Sequence, residues 1–404
     1  MRLLFITWDG PGTTYHETLF MPLLARSART GDRIGFLQLS WGAAARVDRL
    51  DRVARGHGVA FDHLEVPRGR RVVRLPLTML AGLRFILREA RTGRCDTVIA
   101  RSMIPGGLAV LAVRLARGRL QFIYDADGLA ADERVEFGGW RAGGLRYRVF
   151  RWLERVSVRR ADAILVRTQR AVDILTRRSD TPQDRFVVVP NGKDAEAFAP
   201  GDEATRRRTR RALAVPHEAP LLVHVGSAGP QYEPEFTIAV LRHVLERHPD
   251  GRLLLLTARM NHGRFRQLAS SLPSQAVIIR EADPDEVPAL LAAADVGLAF
   301  RTPTFSQRAV APIKVAEYLL CGLPVAYRRG VGDLDVHLKE PIGFGVDDVS
   351  DTNAAAVAAW ICSDVLARRE EFRHVARTLG LQRFSLDAGA AAYRRSFEMV
   401  EAGS

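Results

Sequence analysis

The sequence is poor in lysine, in cysteine and in long apolar runs, and each shortage excludes something. Of its 59 basic residues only Lys193, Lys314 and Lys339 are lysines. The arginine excess behind the net charge of +13 reads as genome composition rather than recognition. No nucleic-acid motif and no aromatic interleaving accompanies it, so no nucleic-acid partner is expected. The three cysteines, Cys95, Cys321 and Cys362, lie far apart without CxxC spacing. That fits a reducing compartment and argues against structural zinc. No apolar run reaches the roughly 18 residues of a membrane span. The opening MRLLFIT is too short for a signal peptide and reads as a buried strand. No HExxH or other ligand cluster stands out. The DAD at 125–127 is an acidic pair behind an apolar strand, and neither a metal nor a cofactor is expected there. No GxGxxG follows the first strand, which disfavours an oxidoreductase.

What is present is strand–helix alternation. A chain of 404 residues exceeds the roughly 250–300 at which one core stops growing, so two domains are expected. Apolar strand-like segments fall at 2–7, 33–40, 96–102, 121–128, 161–168 and 185–192, with helical spacing between most of them. A second series runs through 220–229, 252–258, 276–282 and 295–300. The polar stretch 191–213 between the series reads as a hinge. The fold class is therefore α/β: two doubly wound, Rossmann-like domains facing across a cleft. Their bounds are read as 1–195 and 196–380, with a C-terminal helix over 381–404.

Ligands of such sheets bind beyond the C-terminal ends of the strands. In the first domain that places Gly10, Gly12, Arg101, Ser102, Asp125 and Asp127 at the site, with Asn191 and Gly192 at its end. His16 opens a helix near the Gly10 loop. Asp125 and Asp127 alternate on a strand end, so only one of them is expected to face the cleft.

The stretch 295–338 carries the sharpest signal. It reads as a strand, a loop, a helix opening at Pro312 and a second strand. Lys314 and Glu317 sit three residues apart near the helix start. A cation there opposes the helix dipole unless an anion binds. In a chain nearly without lysine, Lys314 suggests a need for a compact charge. Pyrophosphate at the helix mouth and ribose hydroxyls on Glu317 suit the arrangement. The loop VGSAG (225–229) offers Gly226 and Ser227 for close approach to phosphate. Arg259 and Arg301 follow strands of the same sheet as phosphate ligands.

Two arginine clusters interleave with Leu, Val, Phe and Trp. One runs from Arg68 to Arg94, the other from Arg141 to Arg160. They read as a basic amphipathic surface for an anionic membrane face, so the expected location is cytoplasmic and peripheral on the inner face of the cell membrane.

PIKVAEYLLCGLPV (312–325) resembles the donor-site helix of family 4 glycosyltransferases, which have the two-domain GT-B fold. VVVPNGKDAEAFAP (187–200) looks like their interdomain segment, HVGSAGPQYEPE their first glycine loop, and FSLDAGAAAYRRSFE their final helix. The sub-pattern is similar to bacterial polysaccharide-assembly members. The resemblance implies a retaining transferase that uses a UDP- or GDP-sugar without an essential metal. It implies a glycan or lipid-linked acceptor. Glu317 would contact ribose, and Lys314 would stabilise the leaving diphosphate. The implied donor-binding set is Gly226, Ser227, Arg259, Arg301, Ser306, Ala311, Lys314 and Glu317, with Asp127 added to Lys314 and Glu317 as catalytic. The acceptor side holds Gly10, Gly12, His16, Arg101 and Ser102. The pattern departs from the family at Ala309, where a first glutamate is usual, in the cation-free loop VGSAGPQY, and at Ser102, where a histidine is usual. The competing readings are a sugar-nucleotide epimerase and a non-catalytic nucleotide-sugar-binding partner.

Overall fold

The computed structural model describes residues 1–10, 14–41, 44–66 and 71–403. The chain forms two compact units. One is Met1–Pro190 together with the chain from Gly389 onward, and the other is Asn191–Ala388.

The first unit is built on seven parallel strands: β1 (Arg2–Asp9), β2 (Arg33–Ser40), β3 (Ala60–Glu65), β4 (Thr97–Arg101), β5 (Gln121–Asp125), β6 (Ala163–Val166) and β7 (Phe186–Val188). Their order in the sheet is β3-β2-β1-β4-β5-β6-β7. The second unit has six parallel strands: β8 (Leu221–Val225), β9 (Arg252–Leu256), β10 (Val277–Arg280), β11 (Val296–Ala299), β12 (Val325–Arg328) and β13 (Gly343–Val346), ordered β10-β9-β8-β11-β12-β13. The central strands are mostly apolar, as burial on both faces requires; β4, β6, β9 and β11 are buried at every position. In each sheet the winding reverses once, between β1 and β4 and between β8 and β11. A crevice opens at such a reversal beyond the carboxyl ends of the strands, the usual place for a ligand.

The helix that His16 opens is two pieces. A wide turn at His16–Phe20 runs into an α-helix at Met21–Ser27. The helix ends on an extended Ala28, and Gly31 turns the chain into β2 with φ +93. β3 and β13 were not anticipated. β3 is a half-buried edge strand, and β13 is a four-residue GFGV without a hydrophobic run.

A polar network ties the start of the second sheet together. Asp295, fully buried, receives Arg206 at 2.6 Å, Arg210 at 2.7 Å and Arg369 at 2.9 Å, and its Oδ2 accepts the Leu221 N–H. These cations hold its carboxyl below the usual range against the effect of burial. Part of the arginine excess is thus structural.

Candidate nucleotide-sugar site in the second unit

The helix Ile313–Leu320 follows β11 and leads into β12. Pro312 precedes its first turn, where its missing N–H removes no helical bond. Its far end closes in a Schellman arrangement: Gly322 at φ +77 donates to Leu319 O, and Leu323 N donates to Tyr318 O. In the fold every side chain from Lys314 to Leu320 is buried. Two contacts explain this. Tyr318 lies over Gly297 so closely that a Cβ there would sit 2.3 Å from the ring, and its hydroxyl accepts the Val225 N–H at 2.8 Å. On another side Gly380 of the helix Arg369–Phe384 packs on the backbone of Leu319 and Leu320. Arg377 of that helix donates to the carbonyls of Leu320, Phe198 and Ala195.

The helix therefore carries a lysine and a glutamate into a buried setting. Lys314 Nζ has no hydrogen-bond partner among the described residues. It lies 4.6 Å from the centre of the Tyr232 ring. Gly226, the residue after β8, has φ +139, and a Cβ built on it would be 2.9 Å from Lys314 Nζ. The backbone there favours glycine, and a side chain would also displace the Lys314 amine. Burial drives the Lys314 pKa well below its ordinary value, the Arg301 charge pushes it further down, and Glu317 opposes both. Beneath the loop, burial and then Lys314 hold the His224 ring neutral.

Arg301 sits two residues past β11, across the sheet reversal from Gly226. Its guanidinium stacks on the same Tyr232 ring at 4.7 Å, and its Nε donates to Gln307 at 2.8 Å. Cation–π contact compensates a buried charge only in part. Ser227 braces the glycine loop: its Oγ accepts the Gly229 N–H and bonds Asn261 at 3.3 Å. Ser306 and Ala309 are buried in the short turn before the helix.

Glu317 does not pair with Lys314. Its Oε1 is 3.0 Å from Lys193 Nζ. Lys193 is brought there by the segment that starts the second unit. Asn191 Nδ2 donates to Ala311 O at 2.6 Å, at the mouth of the helix. Gly192 passes so close to Ser385 that a Cβ would lie 2.2 Å from its carbonyl oxygen. Lys193 N donates to Phe384 O, and Leu386 N returns a bond to Lys193 O. Lysine scarcity could have singled out Lys193 as it did Lys314, but in the sequence Lys193 lay in a segment read as a hinge.

The structure thus brings together Gly226, Arg301, Lys314 and, through Lys193, Glu317. Ala311 contributes its carbonyl to Asn191. Arg259 stands apart: it is exposed on the turn after β9, where its backbone N–H bonds Glu281. The site gathers three basic side chains, Lys193 beside Glu317 and both Arg301 and Lys314 against the Tyr232 ring.

In the first unit the expected residues gather at the other sheet reversal. Arg101 donates to Asp125 at 3.3 Å, pairs with Asp127 and lies 4.2 Å over Phe20. Arg167 grips both oxygens of Asp125, at 2.7 and 2.8 Å, and Tyr393 reaches it at 3.4 Å. The two aspartates therefore converge on one guanidinium rather than diverging. β5 ends at Asp125, and the chain turns through Ala126 to Gly128 at φ +72, so strand alternation no longer applies to Asp127. His16 is fully buried against Phe20 and Phe36, 3.4 Å from Asp9. Burial, then Arg101 and Arg46, push its pKa down to about 3. Burial pushes Asp9 up to about 6 against the pull of Arg101. Ser102 has φ 70, a strained value for a serine, at the step from β4 into the next helix. Gly10 packs beside Trp41. Gly12 lies outside the described residues. Among the described residues no group of His, Cys, Asp and Glu side chains could hold a metal ion.

Residues 20–192 match the family described as Glycosyl transferase 4-like domain. The D-inositol 3-phosphate glycosyltransferase of Corynebacterium glutamicum is 28% identical over 220 residues, 52% of this chain and 51% of that protein. The chain thus spans about half the length of the curated relatives it matches. Among solved structures, Anabaena HepE in complex with UDP and glucose aligns over 98% of this chain and 99% of its own, with a TM-score of 0.74 and 15% identity. WaaG, a glycosyltransferase involved in lipopolysaccharide biosynthesis, aligns over 98% and 99%, with a TM-score of 0.70 and 18% identity. The chain shares the GT-B fold of these two structures.

Proposed function

We propose that the chain is a retaining, metal-independent glycosyltransferase whose second unit binds a UDP- or GDP-sugar. One observation carries the reading: Lys314 is a buried lysine whose Nζ has no hydrogen-bond partner among the described residues, against a glycine loop at the sheet reversal. An unpaired buried cation costs several kcal/mol, which the donor's diphosphate would offset. The HepE complex with UDP and glucose and the family match over 20–192 support the same reading.

In this reading the diphosphate lies between Lys314 and Arg301, beside the backbone of Gly226 and Ser227. Glu317, with Oε1 held by Lys193, offers Oε2 to the ribose hydroxyls. Reaction breaks the bond from the sugar's anomeric carbon to the phosphate oxygen, and the electron pair leaves with the diphosphate. Lys314 and Arg301 stabilise the charge that develops there. The acceptor oxygen bonds the anomeric carbon on the same face, and its proton passes to a diphosphate oxygen, so no separate base is needed. The acceptor is a glycan or a lipid-linked saccharide. The names of the curated relatives add D-inositol 3-phosphate to the acceptors to be tried.

A thermal-shift screen of nucleotides and nucleotide sugars tests the donor, because a ligand of the folded state raises its melting temperature. Glu317→Ala should then lower turnover with the identified donor by orders of magnitude while the protein stays folded; unchanged turnover would remove Glu317 from the site. Product analysis with donor alone separates transfer from epimerisation.

A further inference from the structure

The helix Leu145–Arg160 in the first unit has a face that the donor site does not explain. Leu145, Val149 and Trp152 recur at i, i+4 and i+7, so they form one stripe. That stripe points outward: Leu145 is 78% exposed, Val149 43% and Trp152 61%. An ordinary surface helix buries such a stripe. Here the opposite side is the buried one. Glu154, Ser157 and Val158 face inward, and the helix seats on the neighbouring helix Met103–Ala116. A Cβ on Gly106 would be 2.6 Å from Ser157, and one on Gly107 2.7 Å from Leu153. The outward orientation is therefore fixed by close packing.

Charge completes the pattern. Arg148, Arg155 and Arg159 flank the stripe on one side and Arg146 and Arg160 on the other, and all five are exposed. The helix has one acidic residue, Glu154, which is buried and paired with Arg151. The Met103–Ala116 helix packs in turn on the helix Arg71–Arg91. Both add exposed leucines, Leu111 and Leu115 on the first and Leu77 and Leu80 on the second. Arg84, Arg88 and Arg114 are exposed beside them.

We propose that the outer face of the Leu145–Arg160 helix docks on an anionic lipid bilayer. Trp152, Leu145 and Val149 enter the boundary between headgroups and acyl chains, where tryptophan partitions well. The flanking arginines pair with lipid phosphates. A protein partner would need an acidic rim to match this surface, whereas an anionic bilayer supplies the complementary charge everywhere. Among the described residues no helix is long and apolar enough to cross a membrane, so the contact is a surface one. The proposal stands apart from the donor site, because vesicle binding needs no nucleotide.

The test is co-sedimentation of the full chain with vesicles of phosphatidylcholine, with and without phosphatidylglycerol. Binding should require phosphatidylglycerol and weaken with added salt. Trp152→Ser and the double variant Arg148→Glu, Arg155→Glu should each lower partitioning by roughly tenfold or more. Both variants should keep the wild-type melting temperature, since the altered side chains are exposed. Wild-type partitioning by both variants would overturn the proposal. So would absence of binding to anionic vesicles, or binding of a short DNA duplex in place of vesicles with the same arginine dependence.

Discussion

Replacing Lys193 by methionine should separate the role of this lysine from that of Lys314. Lys193 Nζ and Glu317 Oε1 are 3.0 Å apart, with side chains only 8% and 11% exposed. Removing one partner of such a pair leaves the other charge buried and unpaired, at a cost of roughly 3–5 kcal/mol. Lys314 lies on the same helix and lends Glu317 some attraction, so the lower end applies. For a unit of this size about 3 kcal/mol corresponds to a fall in melting temperature of roughly 6–12 °C. Neutralising both partners should restore much of that loss, because the stranded charge is gone. The assay is thermal unfolding of wild type, Lys193→Met, Glu317→Gln and the double variant, with and without the donor found by the nucleotide screen. Donor affinity should fall in Lys193→Met, because Glu317 is no longer held for ribose. Equal melting temperatures for wild type and Lys193→Met, with no coupling in the double variant, would refute the ion pair as a positioning device.

Gly226→Ala should be strained twice, by φ +139 and by a methyl 2.9 Å from Lys314 Nζ. It should cost about 1–3 kcal/mol of stability, and nucleotide binding should weaken because Lys314 is displaced; wild-type nucleotide affinity would contradict that geometry. His16→Asn should flatten the acid side of the stability profile. The folded state keeps His16 neutral with its pKa down at about 3, whereas the unfolded chain takes up that proton below about pH 6.5. This residue's contribution is therefore present above about pH 6.5 and is lost on acidification toward 3. Asp9, raised to about 6, works in the opposite sense: its contribution falls as pH rises from about 4 to 6. Relative to wild type, His16→Asn should lose less stability between about pH 6.5 and 4, by a difference on the order of a few kcal/mol in urea unfolding. Parallel profiles would refute the buried neutral ring.

Much of the fold was legible because parallel strands buried on both faces leave uniform apolar runs, as in RLLFIT and RLLLL. β3 and β13 leave no such run and are missed for that reason, whereas the edge strands β7 and β10 keep short apolar runs. Lys314 was legible from two local facts, the rarity of lysine and its place in the first turn of a helix. Gly226, Arg301 and Glu317 were legible beside it, but Tyr232 and Lys193 were not, because they come from distant segments. Tyr232 reaches the site from the loop after β8, and Lys193 from the start of the unit. Arg259 and Arg301 looked equivalent as arginines following strands, but only Arg301 lies at the sheet reversal. The pairing of Asp125 and Asp127 on Arg101 was hidden by treating the strand as continuing past the point where the chain turns.

Lys314→Met tests the central claim most directly. If Lys314 is a cation buried for the sake of a bound diphosphate, methionine of similar length should fill its place without the desolvation cost. The nucleotide-free variant should then melt at or above the wild-type temperature. Its affinity for the donor nucleotide should fall by roughly 10–150-fold, the worth of a hydrogen bond to a charged group. A variant that binds the nucleotide as tightly as wild type would contradict the account.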